Sequence, residues 1–346
     1  MKRIYQKESW IALALIVAMS ACGKSDDVAP EIPPSDGSVM TLEGGDGGNA
    51  AENAVYVDFS AENQVPVKRD SWDLALYTGD EFQVKLNNMI GAAAIATGET
   101  DLNAVNSENF DISTLAVGQG QGTLDMIDAV DGSIEGTVIA PIAEDETANK
   151  VYVISTAGGT EVLPENVYKV RVLRSDNGGY AVQYAQIDEN SFNTIEVEKN
   201  ADYNFSYASF KTGDLVSVEP DRTNWDIVWG YSMYYTANFP YPFSDLVFIN
   251  HLGGVTAAEV LVEDGTSYED FAENHLGAIT WSNDIDVIGS KWRVTSPEPA
   301  RRLEDRFYVI KDAAGNVYKL KFNSMGPGDS GERGRPEIEF QLVTRG

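Results

Sequence analysis

The chain has 346 residues, with 25 Lys and Arg against 54 Asp and Glu, for a formal charge of −29. A field this negative repels phosphate backbones and anionic headgroups, which argues against nucleic-acid binding and a polybasic membrane patch. One cysteine excludes an intramolecular disulfide and two histidines exclude a His-rich metal centre, while 43% hydrophobic and 10% aromatic residues suffice for a packed core.

Residues 1–21 read as a lipoprotein signal peptide. Lys2, Arg3 and Lys7 make a positive start, and the apolar run from Trp10 to Met19 follows. That run is about half the roughly 20 residues a spanning helix needs. It ends in Met19-Ser20-Ala21-Cys22, which resembles a lipobox, so Cys22 is expected to be the lipidated first residue of the mature chain. The Pro/Gly/Asp-rich stretch 22–52 lacks apolar periodicity and reads as a flexible acidic tether. Its opening Gly-Lys-Ser-Asp-Asp resembles the export signal of surface-displayed lipoproteins; an ordinary solvated linker has the same composition.

Beyond the tether the sequence repeats itself. Trp72-Asp73-Leu74 recurs as Trp225-Asp226-Ile227, Tyr152-Val153-Ile154 as Tyr308-Val309-Ile310, and Tyr168-Lys169-Val170 as Tyr318-Lys319-Leu320, each about 150 residues on. Three anchors in one order predict two tandem related β units, 53–190 and 200–346. Their period is two: Tyr168, Val170 and Val172 alternate with Lys169 and Arg171, then Asn177-Gly178-Gly179 supplies a hairpin turn before Tyr180, Val182 and Tyr184. The Trp-Asp segments are expected to place Trp72, Leu74 and Leu76, and Trp225, Ile227 and Trp229, on one core face. Asp73 and Asp226 are expected to accept hydrogen bonds from nearby turn amides. Only Thr256–Leu261 and Ser267–His275 suggest short helices. The fold class is all-β, an antiparallel sandwich or grasp-like arrangement.

Catalytic motifs do not survive inspection. Gly328-Asp329-Ser330-Gly331 matches a serine-protease tetrapeptide, but neither His251 nor His275 has the required context, and the segment reads as an enlarged hairpin loop. Asp284 and Asp286 lack the glycine and terminal glutamate of an EF-hand. There is no phosphate-cradling loop, His-Glu-x-x-His or Cys-x-x-Cys, and the expectation is a non-enzyme. The two histidines stand in nearly identical contexts, Asn250-His251-Leu252-Gly253 and Asn274-His275-Leu276-Gly277, among Trp229, Tyr231, Met233, Tyr234, Tyr235 and Trp281. A flat apolar ligand needs such walls and one or two axial donors. The same aromatics could equally line a core, with both histidines ordinary loop residues.

The ordered pieces, from lipobox and acidic tether through Trp-Asp to Asp312-Ala313-Ala314-Gly315-Asn316-Val317-Tyr318-Lys319-Leu320-Lys321-Phe322, resemble the HmuY family of Bacteroidota lipoproteins. The resemblance covers 53–346. It implies an outer-membrane, lipid-anchored, surface-exposed haem-binding protein that passes haem to a TonB-dependent receptor, the iron held by two axial His or Met side chains. His251 and His275 are then the candidate ligands, with Met233 and Met89 in reserve and Trp229, Tyr231, Tyr234 and Tyr235 as pocket residues. Arg293, Arg301 and Arg302 could face the propionates. The alternative function is a non-catalytic glycan- or protein-binding subunit of a nutrient-uptake system.

Overall fold

The period-two segments become strands. Gly37–Thr41 (β1), Asn53–Asp58 (β2) and Asn63–Lys68 (β3) lead in; Leu74–Tyr77 (β4), Val84–Leu86 (β5), Ala93–Ala96 (β6), Tyr152–Ser155 (β7), Val167–Arg174 (β8) and Tyr180–Gln186 (β9) follow. A similar series comes next: Asn193–Val197 (β10), Phe205–Ser209 (β11) and Asp214–Val216 (β12), then Ile227–Thr236 (β13), Phe239–Ile249 (β14) and Thr256–Leu261 (β15). A ribbon of Arg293–Val294 (β16) and Arg301–Arg302 (β17) precedes Arg306–Lys311 (β18), Val317–Ser324 (β19) and Glu337–Thr344 (β20). This computed structural model describes residues 33–236, 238–297, 299–326 and 333–346. The signal peptide, Cys22, the tether as far as residue 32 and the Gly328-Asp329-Ser330-Gly331 loop lie outside the described residues.

The fold is all-β, with antiparallel pairing in two five-stranded sheets, β1-β20-β19-β18-β15 and β10-β9-β8-β7-β6, and two four-stranded sheets, β12-β11-β4-β5 and β14-β13-β2-β3. The pairing crosses the boundary expected at 190–200. β2 pairs with β13 and β1 with β20, whereas β11 pairs with β4 and β10 with β9. Each leading set of three strands therefore completes the sheets of the other half of the chain, and 53–190 and 200–346 are not separate bodies. Residues 34–346 form one compact unit.

Three further expectations change. The tether is shorter than 22–52, because β1 pairs with β20 from Gly37↔Gln341 to Thr41↔Glu337 and Leu42 is fully buried. The partner strand lies at the other end of the sequence, so no local pattern displays that ladder. Thr256–Leu261 is a strand, not a helix; pairing with β18 over its whole length outweighs its weak local preference. Trp72 and Trp225 do not share a face with the residues that follow. Leu74 and Leu76 sit in one apolar cluster and Ile227 and Trp229 in another, while both leading tryptophans lie in a third cluster with Tyr56, Ala75, Tyr207 and Val228.

Asp73 and Asp226 sit at that switch. Each occupies a bend before its strand, where the alternation of faces restarts. Asp73 accepts the Phe210 N–H at 2.6 Å and Asp226 the Phe59 N–H at 2.8 Å, so each carboxylate clasps the hairpin that came from the other half. Main-chain bonds reinforce both clasps, Asp73 N–H to Ala208 O at 2.8 Å and Asp226 N–H to Val57 O at 2.7 Å. The acceptor role was legible in the sequence, but the amides belong to a distant hairpin rather than a neighbouring turn. Asp226→Ala should strand the buried Phe59 N–H and cost about 1–3 kcal/mol, with Asp226→Asn losing clearly less because it keeps an acceptor oxygen. Urea denaturation of both variants checks this, and an alanine variant as stable as the natural chain would remove the clasp from the account.

Candidate functional site

The two four-stranded sheets face each other across the third cluster. On one, Val216, Tyr207, Ala75 and Lys85 lie side by side across β12, β11, β4 and β5. On the other, Val65, Tyr56, Val228 and Phe248 lie side by side across β3, β2, β13 and β14. Trp72 packs edge-on against Tyr207 and Trp225 edge-on against Tyr56, both with ring centroids 5.0 Å apart. At the end of each sheet a capping asparagine turns the chain. Asn87 Nδ2 donates to the carbonyls of Arg69 and Trp72, and Asn250 Nδ2 to those of Arg222 and Trp225. Each cap opens one short 3₁₀ turn, Asn88–Ile90 or His251–Gly253.

Between the sheets is a cavity of about 150 Å³, lined by Tyr56, Trp72, Tyr207, Trp225, Phe205 and Phe248, among others. Met89, Met233 and His251 share that lining. His251 lies on a 3₁₀ turn whose cap fixes its backbone, with its Cε1 close to Gly132; a Cβ there would come within 2.9 Å of the ring. Burial and the positive charge of Lys85 hold its imidazole below the ordinary histidine range, against hydrogen bonds to the Gly132 and Ile249 backbone that favour the charged ring. Met233 is buried at the β13 side, its Cε facing Gly91. Neutral imidazole and thioether are soft donors suited to a haem iron.

The other expected residues go elsewhere. His275 is half-buried, its Nδ1 bonded to the Ala272 backbone and its ring stacked at 5.4 Å on Phe271, which belongs to a cluster on the β18–β19 sheet. It does not line the cavity, so the His251–His275 pair is not assembled. Trp229 is a core residue, 1% exposed. Tyr231 lies under the Arg69 guanidinium, Tyr234 donates to Asp286 and stacks on Tyr235, and Tyr235 lines a neighbouring cleft. Arg293 donates to the Ser244 carbonyl and Arg302 pairs with Glu304; neither they nor Arg301 line the cavity.

Sequence reasoning missed Tyr56, Tyr207, Trp72 and Trp225 as walls, because they meet only after the hairpins cross over. It also missed Glu219 and Lys85. Glu219 is 4% exposed; its Oε1 accepts the Phe205 N–H at 2.7 Å, and its carboxyl meets the Tyr207 hydroxyl, which in turn meets Tyr56. Burial pushes its carboxyl up to about 7. In the unfolded chain it would ionise near 4.5, so the folded state binds the extra proton between those values and this group's contribution to stability falls as pH rises through them. Glu219→Gln should therefore stabilise the fold at pH 8 by about 1–3 kcal/mol and by close to nothing at pH 4. Urea midpoints at the two pH values test this; equal gains at both would contradict it.

The sequence matches the HmuY protein family over residues 50–340. A solved structure of a HmuY-like heme binding protein from Bacteroides vulgatus is similar at 11% identity and a TM-score of 0.25, covering 91% of this chain and 100% of that one. No curated protein matches. With its family match spanning most of its length, this chain belongs to the HmuY family.

Proposed function

We propose that the protein binds haem between its two central sheets, as a non-catalytic carrier. The observation that carries this is the convergence of His251, Met89 and Met233 on one aromatic cavity in a chain of this family. The two ends of the cavity differ where a donor is needed: after the capping asparagine one turn begins Asn88-Met89 and the other His251-Leu252. One end thus offers a thioether and the other an imidazole. The recurrence of clasps, caps and ring pairs supports reading the chain as two copies of one unit with exchanged leading strands.

The residues fit haem in donor chemistry and in walls. When bound, haem would supply an iron that takes imidazole nitrogen or thioether sulfur. His251, with Met89 or Met233, would hold it. Room is the stricter condition, since sites for ligands of this class span about 300–1,000 Å³. The cavity of about 150 Å³ adjoins a cleft of about 600 Å³, and Ala129 and Val130 line both. Haem capture requires the two spaces to open into one.

Hemin titrated into the purified chain should give a saturable Soret shift at one equivalent. His251→Ala should weaken binding at least about tenfold and alter the band, while His275→Ala should leave both unchanged. No shift above that of an unrelated acidic protein would end the haem reading, and sensitivity to His275 alone would end the site assignment. We further propose that Cys22 carries the lipid that holds the protein at the outer-membrane surface, where it passes haem to a TonB-dependent receptor. Labelling of cells with a fatty-acid probe should mark the natural chain and not Cys22→Ser; equal labelling would refute the anchor.

A further inference from the structure

The two rows that face each other across the cavity occupy matching places in their sheets, and they differ in one charge. One row reads Val65, Tyr56, Val228, Phe248; the other reads Val216, Tyr207, Ala75, Lys85. Lys85 therefore stands where the opposite sheet has a phenylalanine. Its strand neighbours Val84 and Leu86 are fully or almost fully buried on the other face of β5, which fixes Lys85 on the cavity side. A cation at an apolar, half-buried position is costly unless something pairs with it.

Among the described residues no group pairs with it directly. Lys85 makes no hydrogen bond or ion pair among the described residues. Burial holds its ammonium below the ordinary lysine range, opposed only by the charges of Asp128 and Asp131, and both oxygens of Asp128 and one of Asp131 already accept main-chain amides. Asp128 accepts from Leu86 and Val138 at 2.6 and 2.9 Å, and Asp131 from Ser133 at 2.9 Å. Two further donors in the cavity lining lack acceptors, the indole N–H groups of Trp72 and Trp225, which are 6% and 8% exposed. Buried indole N–H groups ordinarily find a partner. Besides Glu219, whose carboxyl is taken up by the Phe205 N–H, Asn204 and Tyr207, the lining holds the Lys85 ammonium and two indole N–H groups with no acceptor, against two amide oxygens, those of Asn88 and Asn204, with no donor. That excess of donors, one of them cationic, suits a carboxylate, which offers two oxygens and about four lone-pair positions.

We propose that Lys85 marks a carboxylate subsite within the cavity, so that the ligand is a flat aromatic molecule bearing an acid group. Under the haem reading, on which this rests for its natural ligand, the acid is a propionate. Lys85 then takes the place that sequence reasoning gave to Arg293, Arg301 and Arg302. The subsite also has a smaller test ligand, because an apolar cavity of about 150 Å³ is large enough for a single benzene ring.

The test uses the full chain and four probes: hemin, hemin dimethyl ester, benzoate and benzyl alcohol. Soret titration reads the first pair and tryptophan fluorescence the second. The natural chain should bind hemin about tenfold or more tighter than its ester, and Lys85→Met should erase that preference without moving the Soret maximum. Lys85→Arg should retain it. Benzoate should quench fluorescence in the natural chain but not in Lys85→Met, and benzyl alcohol should not distinguish them. Because the matching position carries Phe248, Lys85→Met should keep or raise the thermal midpoint, which separates lost recognition from lost folding. Equal binding of hemin and its ester, with Lys85→Met unaltered, overturns the subsite and leaves haem binding standing. Absence of any hemin response with a Lys85-dependent benzoate response overturns the haem reading and leaves the subsite. Absence of both responses overturns both.

Discussion

Everything at the centre of this molecule depends on a carboxylate reaching across to an amide that is remote in sequence. Asp73 binds the Phe210 N–H and Asp226 the Phe59 N–H. A hydrogen bond of this kind nets only about 1 kcal/mol when made, but a buried amide left without a partner costs more, so the geometry is strongly specified. It sets the register of two hairpins on sheets built by the other half of the chain. It also bends the backbone so that Trp72 and Trp225 turn away from the strands they precede. Without that bend the tryptophans would enter the outer cores, and the space between the central sheets would lose two of its walls.

The crossing-over explains what could be read in the sequence and what could not. Strand content was legible, because alternation in Tyr168–Val172 or Tyr318–Phe322 is local and the turn residues beside it have only one use. The register of β1 was not, because Gly37–Thr41 sits in an acidic, glycine-rich stretch and gains its order from β20 at the far end of the chain. The identity of His251 as a cavity residue was legible only as one of two similar candidates. Its context and that of His275 match letter for letter over four residues, yet one follows a capping asparagine buried between Arg222 and Trp225 while the other lies on an exposed turn. Burial of the cap, not the local motif, separates them.

Lys85 was invisible for a related reason. In the sequence it is a polar residue between Val84 and Leu86, the ordinary sign of a strand with one wet face. Only the stacking of a second sheet over that face makes the position apolar. Glu219 follows the same logic from a loop: nothing near it in sequence predicts that Tyr207, Tyr56 and Asn204 will close around its carboxyl. Residues of this kind are found by asking which charges the tertiary packing encloses.

The two halves carry the same clasp, the same cap and the same ring pair, so the scaffold alone would enclose a nearly symmetric space. The differences fall on the surface of that space: Lys85 against Phe248, Met89 against Leu252, and Asn88 against His251. Each replaces an apolar or neutral group by a charge or a donor where burial makes polarity expensive. Stability of the fold does not require these exchanges, since the matching half does without them. A repeated framework tolerates substitutions on its inner faces, and these substitutions place an amine on β5 and an imidazole on the turn that follows β14, in a space whose scaffold is otherwise nearly symmetric. Lys85 and His251 lie close enough for the charge of one to depress the imidazole pKa of the other, so the proposed ligand would present its acid and its coordinating centre to neighbouring parts of one asymmetric lining.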